Sequence, residues 1–442
     1  MSMANDERHE RHKRVFPSRA SLRDGCWSIR FRALVHAGCL VVASSLPSNC
    51  PAADWPRFRG PNLDGISRET NWFKPWPKEG PKILWRASVG TGFSSMAVAR
   101  GRLYTMGNTA DADTVFCLDA GTGAVIWKHS YPAPLDAKYY EGGPSTTPTV
   151  DGERVFTLSK RGRLFCLDAA TGQVIWGKNL TEELQLNVNE WGFAGSPLVE
   201  GCLLVLNVGG AGTAVDRTTG KVVWNHGRDT AGYASPVPFT LEGRRCVAIF
   251  AAKHLVVAEA LTGRELWRYP WETGWDNNNA DPIIVGNRCF ISTYDRGCAL
   301  LEARDGQPVV VYQNQNIHTH MNACVKLGEY LYGMNGREGK GRPNDFRCLE
   351  FATGEVKWKA TGLGVGSVIA AEGKLIIVSE TGELVIAEAS PEAFKPLARA
   401  QVLGGRCWTP PALANGRIYC RNARGDLICV EASRQDRPDG VD

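Results

Sequence analysis

The sequence lacks a long hydrophobic run and a strong excess of charge of either sign. Its longest apolar stretch, Ala33–Leu46, has about 14 residues, whereas a membrane-spanning helix needs roughly 20. The formal net charge is +5, of which +4 lies before Ala53 and only +1 after it, where acidic and basic residues are interleaved. No basic stripe of the kind that follows phosphates is present, so nucleic acid is not expected as a partner.

Closely spaced cysteines are also absent. No two of the 14 cysteines are adjacent, and neither a CxxC pair nor a zinc-type Cys/His cluster occurs. Eleven cysteines follow Ala53, an odd number that cannot pair completely within this part of the chain. Cys117, Cys166, Cys348 and Cys429 each precede an aliphatic residue and then an acid at the same point of a repeat. We therefore expect buried thiols that act as small hydrophobes rather than a disulfide framework.

The first 53 residues have the order of a secretory signal. A basic segment is followed by the apolar run Ala33–Leu46 and then by the small residues Ala52 and Ala53. This order predicts export to the periplasm or cell surface, the alternative being a disordered leader with a chance apolar patch. Cys39 lies in a partial lipoprotein box in which His36 replaces the usual aliphatic residue, so membrane association is expected only through such an anchor or through a partner.

Glycine and tryptophan are abundant, and one sequence motif recurs along the chain. Its clearest copies are Cys117-Leu-Asp-Ala-Gly-Thr-Gly-Ala-Val-Ile-Trp127, Cys166-Leu-Asp-Ala-Ala-Thr-Gly-Gln-Val-Ile-Trp176 and Cys348-Leu-Glu-Phe-Ala-Thr-Gly-Glu-Val-Lys-Trp358. Weaker copies end at Trp224 and Trp267, and a further copy, Leu301–Gly306, has Val310 at the tryptophan position. The copies are 43 to 49 residues apart, the length of a four-stranded propeller blade.

Each repeat predicts four short strands separated by tight turns. In the second repeat, strands are expected at 146–150, 154–158, 164–168 and 174–176, and Asp168 is expected to bond the amides of its turn. The repeated tryptophan has enough apolar area to dock on the next blade. The docking residues are predicted to be Trp85, Trp127, Trp176, Trp224, Trp267 and Trp358.

Counting the innermost strands predicts eight blades. These strands are expected to begin near Ser94, Ser145, Ala194, Ser235, Ala280, Met321, Gly366 and Thr409. The last repeat lacks an outer strand, whereas Lys82–Arg86 resembles an isolated outer strand with its tryptophan. The two are predicted to pair and close the ring, which removes exposed sheet edges.

The sequence therefore predicts an all-β, eight-bladed β-propeller of four-stranded repeats. We assign 1–53 to the basic leader and signal peptide, 54–79 to an irregular arm around the outside of the ring, 80–433 to the propeller and 434–442 to a disordered tail. A monomer is expected. The loop Gly336–Arg342, which alternates glycine with charge, is interpreted as a solvated hairpin tip.

The Asp-Ala-x-Thr-Gly-x-x-x-Trp motif resembles the PQQ-type propeller repeat, and the resemblance covers about Gly80 to Ser433. That repeat is shared by quinoprotein alcohol dehydrogenases, by the propeller lipoprotein of the outer-membrane barrel assembly machinery and by exported bacterial propellers of unknown role. The opening Trp55-Pro-Arg-Phe-Arg-Gly-Pro61 and the segment around Cys407-Trp408 are most similar to the last group. Fold alone does not decide among these roles.

The dehydrogenase resemblance implies bound PQQ, a calcium ion held by Glu, Asn and Asp side chains, an Asp base and commonly a disulfide between adjacent cysteines. This chain has no adjacent cysteines. Oxygen ligands for calcium exist, although none aligns with the family's site. They are Glu141, Glu190, Asp276, Asn277, Asn278, Asn279 and Asp281. No cofactor is therefore expected, with PQQ and calcium as the alternative.

The loops that lead from one blade to the next are long and rich in aromatic and polar residues, as expected of a binding surface. The candidate ligand-binding residues are Tyr140, Glu141, Glu190, Trp191, Trp275, Asn278, Asn279, Asp281, His318, His320, Asn322, Arg406 and Trp408. Structural alternatives remain open: the aromatic residues could plug the channel, the asparagines could serve turns, and the two histidines favour hydrogen bonding over metal binding.

The leading hypothesis is a non-catalytic propeller whose channel-mouth loops bind a partner protein or a small ligand such as a sugar, a peptide or a ring compound. The alternatives are a PQQ-dependent oxidoreductase acting on an alcohol, and a scaffold for outer-membrane protein assembly that adds partner strands at a blade edge or binds in a loop groove. No catalytic or metal-binding residue is assigned.

Overall fold

The structure is a computed structural model that describes residues 53–337 and 344–432. The predicted signal peptide, the predicted disordered tail and most of the loop Gly336–Arg342 lie outside the described residues. Within the described ranges, no helix is long and apolar enough to span a bilayer.

Eight sheets follow one another along the chain, as predicted, and each contains the four antiparallel strands of one blade. Blade 1 contains β3 (Ala97–Ala99), β4 (Arg102–Thr109), β5 (Ala112–Asp119) and β6 (Val125–Pro132). Blade 2 contains β7 (Thr149–Asp151), β8 (Arg154–Leu158), β9 (Arg163–Asp168) and β10 (Val174–Asn179), followed by the short helix α1 (Leu180–Leu184). Blade 3 contains β11 (Leu198–Glu200), β12 (Leu203–Leu206), β13 (Thr213–Asp216) and β14 (Val222–Asn225). Blade 4 contains β15 (Val237–Leu241), β16 (Arg244–Phe250), β17 (His254–Glu259) and β18 (Glu265–Pro270).

The second half of the chain repeats this pattern after a 3₁₀ turn at Gly274–Asp276. Blade 5 contains β19 (Ile283–Val285), β20 (Arg288–Thr293), β21 (Gly297–Arg304) and β22 (Gln307–Asn314). Blade 6 contains β23 (Val325–Leu327), β24 (Tyr330–Asn335), β25 (Asp345–Glu350) and β26 (Val356–Thr361). Blade 7 contains β27 (Ser367–Ala371), β28 (Lys374–Val378), β29 (Glu383–Glu388) and β30 (Lys395–Gln401). Blade 8 contains β31 (Ala412–Ala414), β32 (Arg417–Arg421), β33 (Asp426–Glu431) and, from the start of the chain, β2 (Ile83–Ser88).

The pairing of β2 with β33 closes the ring, which confirms the predicted joining of the two ends. The strands are antiparallel, with Ile83 opposite Val430 and Ser88 opposite Asp426. The first outer strand of the chain thus becomes the fourth strand of the last blade. Because both ends of the domain share one sheet, no blade of the ring is left with three strands.

The recurring chemistry of the repeat is visible in its outer turn. In blade 2, the Asp168 carboxylate accepts hydrogen bonds from the backbone N–H groups of Ala170 and Thr171 at 3.0 and 2.8 Å, as predicted, and from the Thr171 hydroxyl. Asp119 and Asp216 make the same contacts in blades 1 and 3. These bonds lower the pKa of all three carboxyl groups below the ordinary value.

The repeated tryptophans dock on neighbouring blades, as predicted. Trp127 donates from Nε1 to the carbonyl oxygen of Ala169 in blade 2 at 3.1 Å, and its ring lies against Gly172. Equivalent bonds join Trp85 to Ala120, Trp176 to Arg217, Trp224 to Ala260 and Trp358 to Ser390. Trp267 is also buried, within the apolar core shared by blades 4 and 5.

The assignment of Val310 to the tryptophan position was wrong. In blade 5 the two residues Asp305 and Gly306, both with positive φ, form a tight hairpin turn in place of the longer Asp-x-x-Thr-Gly turn. The register therefore places Tyr312 at the docking position. Its hydroxyl donates to the carbonyl oxygen of Phe351 at 3.0 Å, which replaces the indole contact.

The arm was expected around the outside of the ring, and this prediction was also wrong. Trp55 exchanges backbone hydrogen bonds with Val98 of β3, and the short strand β1 (Ile66–Ser67) pairs in parallel with β27. Between them, Arg59 donates to the carbonyl oxygens of Ala323 and Cys324 beside β23. The first part of the arm thus crosses the central channel along the innermost strands and pairs with some of their free backbone groups.

The second part of the arm leaves the channel between blades 7 and 8. Glu69 accepts a hydrogen bond from the backbone N–H of Gly416, and Asn71 donates from its backbone to Glu372. Trp72 is buried in the apolar core that these blades share, with Trp76 packed against it. This route leads the chain outwards to β2.

All eleven cysteines of the described residues are free, and ten of them are buried. Cys117, Cys166, Cys348 and Cys429 are fully buried within their blades, as expected for thiols that serve as small hydrophobes. Burial raises the pKa of Cys117, Cys166 and Cys348 to about 11. These groups are therefore protonated and unreactive at neutral pH.

Candidate functional site

The connections from the outer strand of one blade to the inner strand of the next meet at one end of the channel and surround a cavity of about 520 Å³. We call this space the channel cavity. Phe58 of the arm lines it together with the loops. Because the arm crosses the channel, the cavity is a well with the arm at its base rather than an open tunnel.

Aromatic side chains dominate the lining of the channel cavity. They are Phe58, Phe93, Tyr139, Tyr140, Trp191, Tyr233, Trp275, Tyr294 and Trp408. The polar lining residues include Asn277, Asn279, Asp281, His320, Asn322 and Arg337. An apolar concave surface with a few polar groups is the usual composition of a small-molecule site.

Three rings from the connections around blades 7, 8, 1 and 2 form the first aromatic group. Phe93 stacks on Trp408 with ring centroids 5.4 Å apart, and Tyr140 meets Phe93 edge-on at 5.4 Å. The guanidinium of Arg406 lies 4.4 Å from the Trp408 ring and forms an ion pair with Glu141. The Trp408 ring is thus already engaged by a neighbouring ring and by the protein's own cation.

A second group lies across the connections between blades 2 and 5. Trp191 lies 5.9 Å from Tyr233 and 6.5 Å from Trp275, centroid to centroid. Trp275 remains 70% exposed, and Tyr139 at another part of the rim is 83% exposed. Both have positive φ, at 65° and 64°, a costly conformation for an aromatic residue.

His320 and Tyr294 form a third part of the wall, with ring centroids 5.0 Å apart. The side chain amide of Asn277 lies 3.2 Å from Nε2 of His320. Burial, together with the nearby Arg337 guanidinium, lowers the pKa of His320 to about 4. The imidazole is therefore neutral at physiological pH.

Asp281 is the carboxylate that lines the channel cavity. Its side chain is 2% exposed, accepts a hydrogen bond from the backbone N–H of Ser235 at 2.7 Å, and lies 4.0 Å from the Arg59 guanidinium of the arm. Burial raises its pKa to about 6, although the charge of Arg59 opposes this rise. The arm and the site are thus electrostatically linked.

The structure brings eight of the thirteen candidate residues to the channel cavity. These are Tyr140, Trp191, Trp275, Asn279, Asp281, His320, Asn322 and Trp408. The other five lie beside it or behind it. Glu141 and Arg406 pair with each other, and Glu190 pairs with Lys138 at 3.3 Å on the surface.

Asn278 and His318 have buried positions that hold the loops in place. The Asn278 amide donates to the carbonyl oxygens of Ala251 and Ala252 at 2.7 and 3.0 Å. Nδ1 of His318 lies 3.1 Å from the carbonyl oxygen of Tyr294. Among residues 53–337 and 344–432, no group of three or more His, Cys, Asp and Glu side chains is arranged to hold a metal ion.

Sequence reasoning missed several lining residues. Phe93 and Tyr233 each lie one or two residues before the serine at which an inner strand was expected, so position relative to the repeat was an available signal. Tyr294 belongs to the hairpin between β20 and β21, which faces the same end of the channel. Phe58 was missed because the arm was placed outside the ring.

The family comparison agrees with the repeat pattern. A family model described as outer membrane protein assembly factor BamB, a PQQ-type repeat family, matches residues 78–143 and 111–360. The matched segments together cover more than half of the chain. No curated protein sequence matches this chain significantly.

Solved structures share the fold at low sequence identity. BamB from Moraxella catarrhalis is 16% identical with a TM-score of 0.58, over 79% of this chain and 97% of that one. Quinohemoprotein alcohol dehydrogenase from Comamonas testosteroni is 14% identical with a TM-score of 0.60, over 88% of this chain and 82% of that one. The computationally designed Ika8 protein is 11% identical with a TM-score of 0.58, over 80% of this chain and all of that one.

These structural likenesses show the fold alone, because an enzyme, an assembly factor and a designed protein share it equally. The family model covers the repeats that carry the tryptophan docking and the Asp-x-x-Thr-Gly turns. This chain therefore belongs to the BamB-like family of PQQ-repeat β-propellers.

Proposed function

We propose that this chain is an exported propeller, located in the periplasm or at the cell surface, that binds a small ligand or part of a partner in the channel cavity without chemical turnover. The observation that carries this proposal is the blind aromatic well itself, with nine aromatic side chains on its lining and the arm at its base. A cavity of about 520 Å³ falls within the range of small-molecule sites.

The conformation of the rim supports binding rather than plugging. Trp275 and Tyr139 hold large rings in solvent while their backbones have positive φ. A ring that only filled the channel would be buried, as Trp271 is. Backbone strain combined with an exposed ring is typical of residues kept for a ligand.

A quinone held by calcium fits the described residues poorly. Calcium takes six to eight oxygen ligands, but the oxygen-bearing candidates are dispersed. Glu141 pairs with Arg406, Glu190 pairs with Lys138, and the Asn278 amide bonds backbone carbonyls. Asn277, Asn279 and Asp281 alone remain at the cavity wall among those candidates. These three side chains include a single carboxylate, so the quinone and water would have to supply most of the oxygen ligands of calcium.

Family membership favours a second candidate, a scaffold role in outer-membrane protein assembly. In that case a partner would add a strand at a blade edge or bind a loop groove. Co-purification of the chain with purified outer-membrane assembly components tests this role. Binding that is unaffected by Trp275→Ala would assign the contact to a blade edge rather than to the channel cavity.

The proposal is tested by calorimetric titration of the protein from Asp54 onward with PQQ in the presence of calcium, followed by a dye-linked assay on simple alcohols. We expect neither heat nor dye reduction, and we expect tryptophan fluorescence to respond to saccharide, peptide or aromatic probes. Saturable PQQ binding with dye reduction would replace the binding role with an oxidoreductase. Recovery of the processed protein from the periplasmic fraction tests export.

A further inference from the structure

Five residues on the wall of the channel cavity carry a buried polar atom with no hydrogen-bond partner among the described residues. The atoms are Nε1 of Trp191, Oη of Tyr233, Oδ1 of Asn279, Oδ2 of Asp281 and Nδ1 of His320. Oδ2 of Asp281 has only the Arg59 guanidinium nearby, at 4.0 Å. Buried polar atoms in native proteins are almost always paired, because the desolvation of an unpaired polar atom is not compensated by any hydrogen bond.

The unpaired atoms include both donors and acceptors. The indole N–H of Trp191 can only donate, whereas the oxygens of Asn279 and Asp281 accept. His320 is neutral, and its Nε2 lies 3.2 Å from the amide nitrogen of Asn277. When Nε2 accepts from that amide, the ring proton is on Nδ1, which then donates.

This mixture limits the chemistry of the ligand. A phosphate or carboxylate anion offers only acceptors. An ammonium group offers only donors, and a quaternary ammonium group offers neither donors nor acceptors. A hydroxyl group both donates and accepts. Peptide amides also carry both functions, but a hydroxyl group donates and accepts through a single atom. A ligand with several hydroxyl groups can therefore satisfy the donors and the acceptors of one wall.

The aromatic rings add a second requirement. Phe93 and the Arg406 guanidinium already engage Trp408, and the Arg337 guanidinium lies 5.8 Å from the Tyr294 ring. Trp275 and Tyr139 at the rim remain exposed. The electron-rich face of an aromatic ring favours contact with partly positive hydrogen atoms, such as the C–H groups of a sugar ring.

We propose that the channel cavity binds a neutral carbohydrate. This inference rests on the proposed binding function and names its ligand class. A sugar ring stacks on Trp275 at the rim, and its hydroxyl groups pair with the wall formed by Trp191, Asn279, Asp281 and His320. The ligand enters from the loop end, since the arm occupies the other end of the channel.

The test uses the full chain and four neutral probes, namely cellotetraose, maltotetraose, mannotetraose and chitotetraose, followed by tryptophan fluorescence and calorimetry. We expect saturable binding of at least one probe. Trp275→Ala and Asn279→Ala should each weaken that binding at least tenfold. The matched control is Leu261→Ala, since Leu261 is 63% exposed on an outer turn and does not line the channel cavity.

Choline and a neutral aromatic peptide are titrated in parallel. If one of these binds in a Trp275-dependent manner and no saccharide binds, the carbohydrate assignment is overturned while the binding function stands. If no probe of any class binds, both proposals fail. Saccharide binding that Trp275→Ala and Asn279→Ala leave unchanged would also overturn the proposal, because the sugar would then bind elsewhere.

Discussion

In blades 1 to 4, the glycine of the outer turn lies directly against the indole of the preceding blade. A Cβ atom at Gly172 would approach the Trp127 ring to 2.6 Å, and one at Gly123 would approach the Trp85 ring equally closely. Both glycines have positive φ. The Thr-Gly pair and the tryptophan of the repeat are therefore two halves of one contact between blades.

We expect Gly172→Ala to destabilise the propeller because the added methyl group overlaps the Trp127 ring. Gly201→Ala is the matched control, since Gly201 also has positive φ but a methyl group added there would meet no atom within 4 Å. Urea unfolding should show a free energy of unfolding about 1–3 kcal/mol lower for Gly172→Ala than for the control. Equal losses would mean that the backbone angle alone matters.

Asp281 should make stability depend on pH. Its carboxyl group has a pKa of about 6 in the folded protein and of 3.8 as an ordinary aspartate. Between these values the folded state binds the additional proton, so the free energy of unfolding falls as pH rises from about 4 to about 6. The Asp281→Asn side chain does not titrate, so this variant does not show the corresponding fall in the free energy of unfolding.

The stability of the wild-type protein relative to Asp281→Asn should therefore fall by up to about 3 kcal/mol between pH 4 and pH 7. Thermal or urea unfolding of both proteins across this range measures the difference. The pKa of Asp113 is also about 6 because of burial, but Asp113 is present in both proteins and cancels. A difference that stays constant with pH would contradict the expected raised pKa.

At the scale of elements, one buried cation helps to hold the arm in the channel. Arg59 is 6% exposed and donates to the carbonyl oxygens of Asp64, Ala323 and Cys324 at 3.0, 3.4 and 2.9 Å. A guanidinium has five donors in a rigid fork, so it can join a turn of the arm to an inner strand of the ring. The arm contains little regular structure beyond the two residues of β1.

Arg59→Leu should release the arm while the blades stay folded. We expect faster chymotryptic cleavage after Phe58 or Leu63, with little change in the circular dichroism of the sheets. Arg68→Leu is the matched control, because Arg68 is exposed and donates only to Asn62 within the arm. Equal cleavage rates for the two variants would show that backbone pairing alone holds the arm.

At the scale of the whole molecule, two contacts contribute to closing the ring. The first is the β2–β33 pairing. The second is Arg421 of β32, which is fully buried and donates to the carbonyl oxygens of Ser94, Met106 and Gly92 at 3.0, 2.7 and 2.9 Å. These acceptors belong to blade 1 and to the connection that leads into it. Burial lowers the pKa of Arg421 to about 9. Because this value is still above neutral pH, the guanidinium remains charged.

Arg421→Met should lower the free energy of unfolding by at least about 3 kcal/mol, since it leaves several buried carbonyl groups unpaired. Arg424→Met, at an exposed position three residues along, is the control and should have an effect within about 0.5 kcal/mol. Urea unfolding measures both variants. A small loss for Arg421→Met would mean that strand pairing alone closes the ring.

Part of the candidate site was predicted from the position of residues relative to the repeat. Trp191, Trp275 and Trp408 lie in connections between blades, so the count of repeats placed them at the channel. Glu141 and Arg406 were expected to face a ligand but neutralise each other instead. Their pairing joins two connections that are distant in sequence, and no local pattern reports such a contact.

The sequence by itself determined the blade count, the closure of the ring and the docking role of the tryptophans, because these depend on local turns and on a period repeated along the chain. Tertiary structure alone decided the path of the arm, the replacement of an indole by Tyr312 and the set of residues that line the channel cavity. These features depend on which backbone groups and charges remain unpaired once the ring has closed. Which groups remain unpaired depends on contacts between segments that are distant in sequence, so no single segment predicts it.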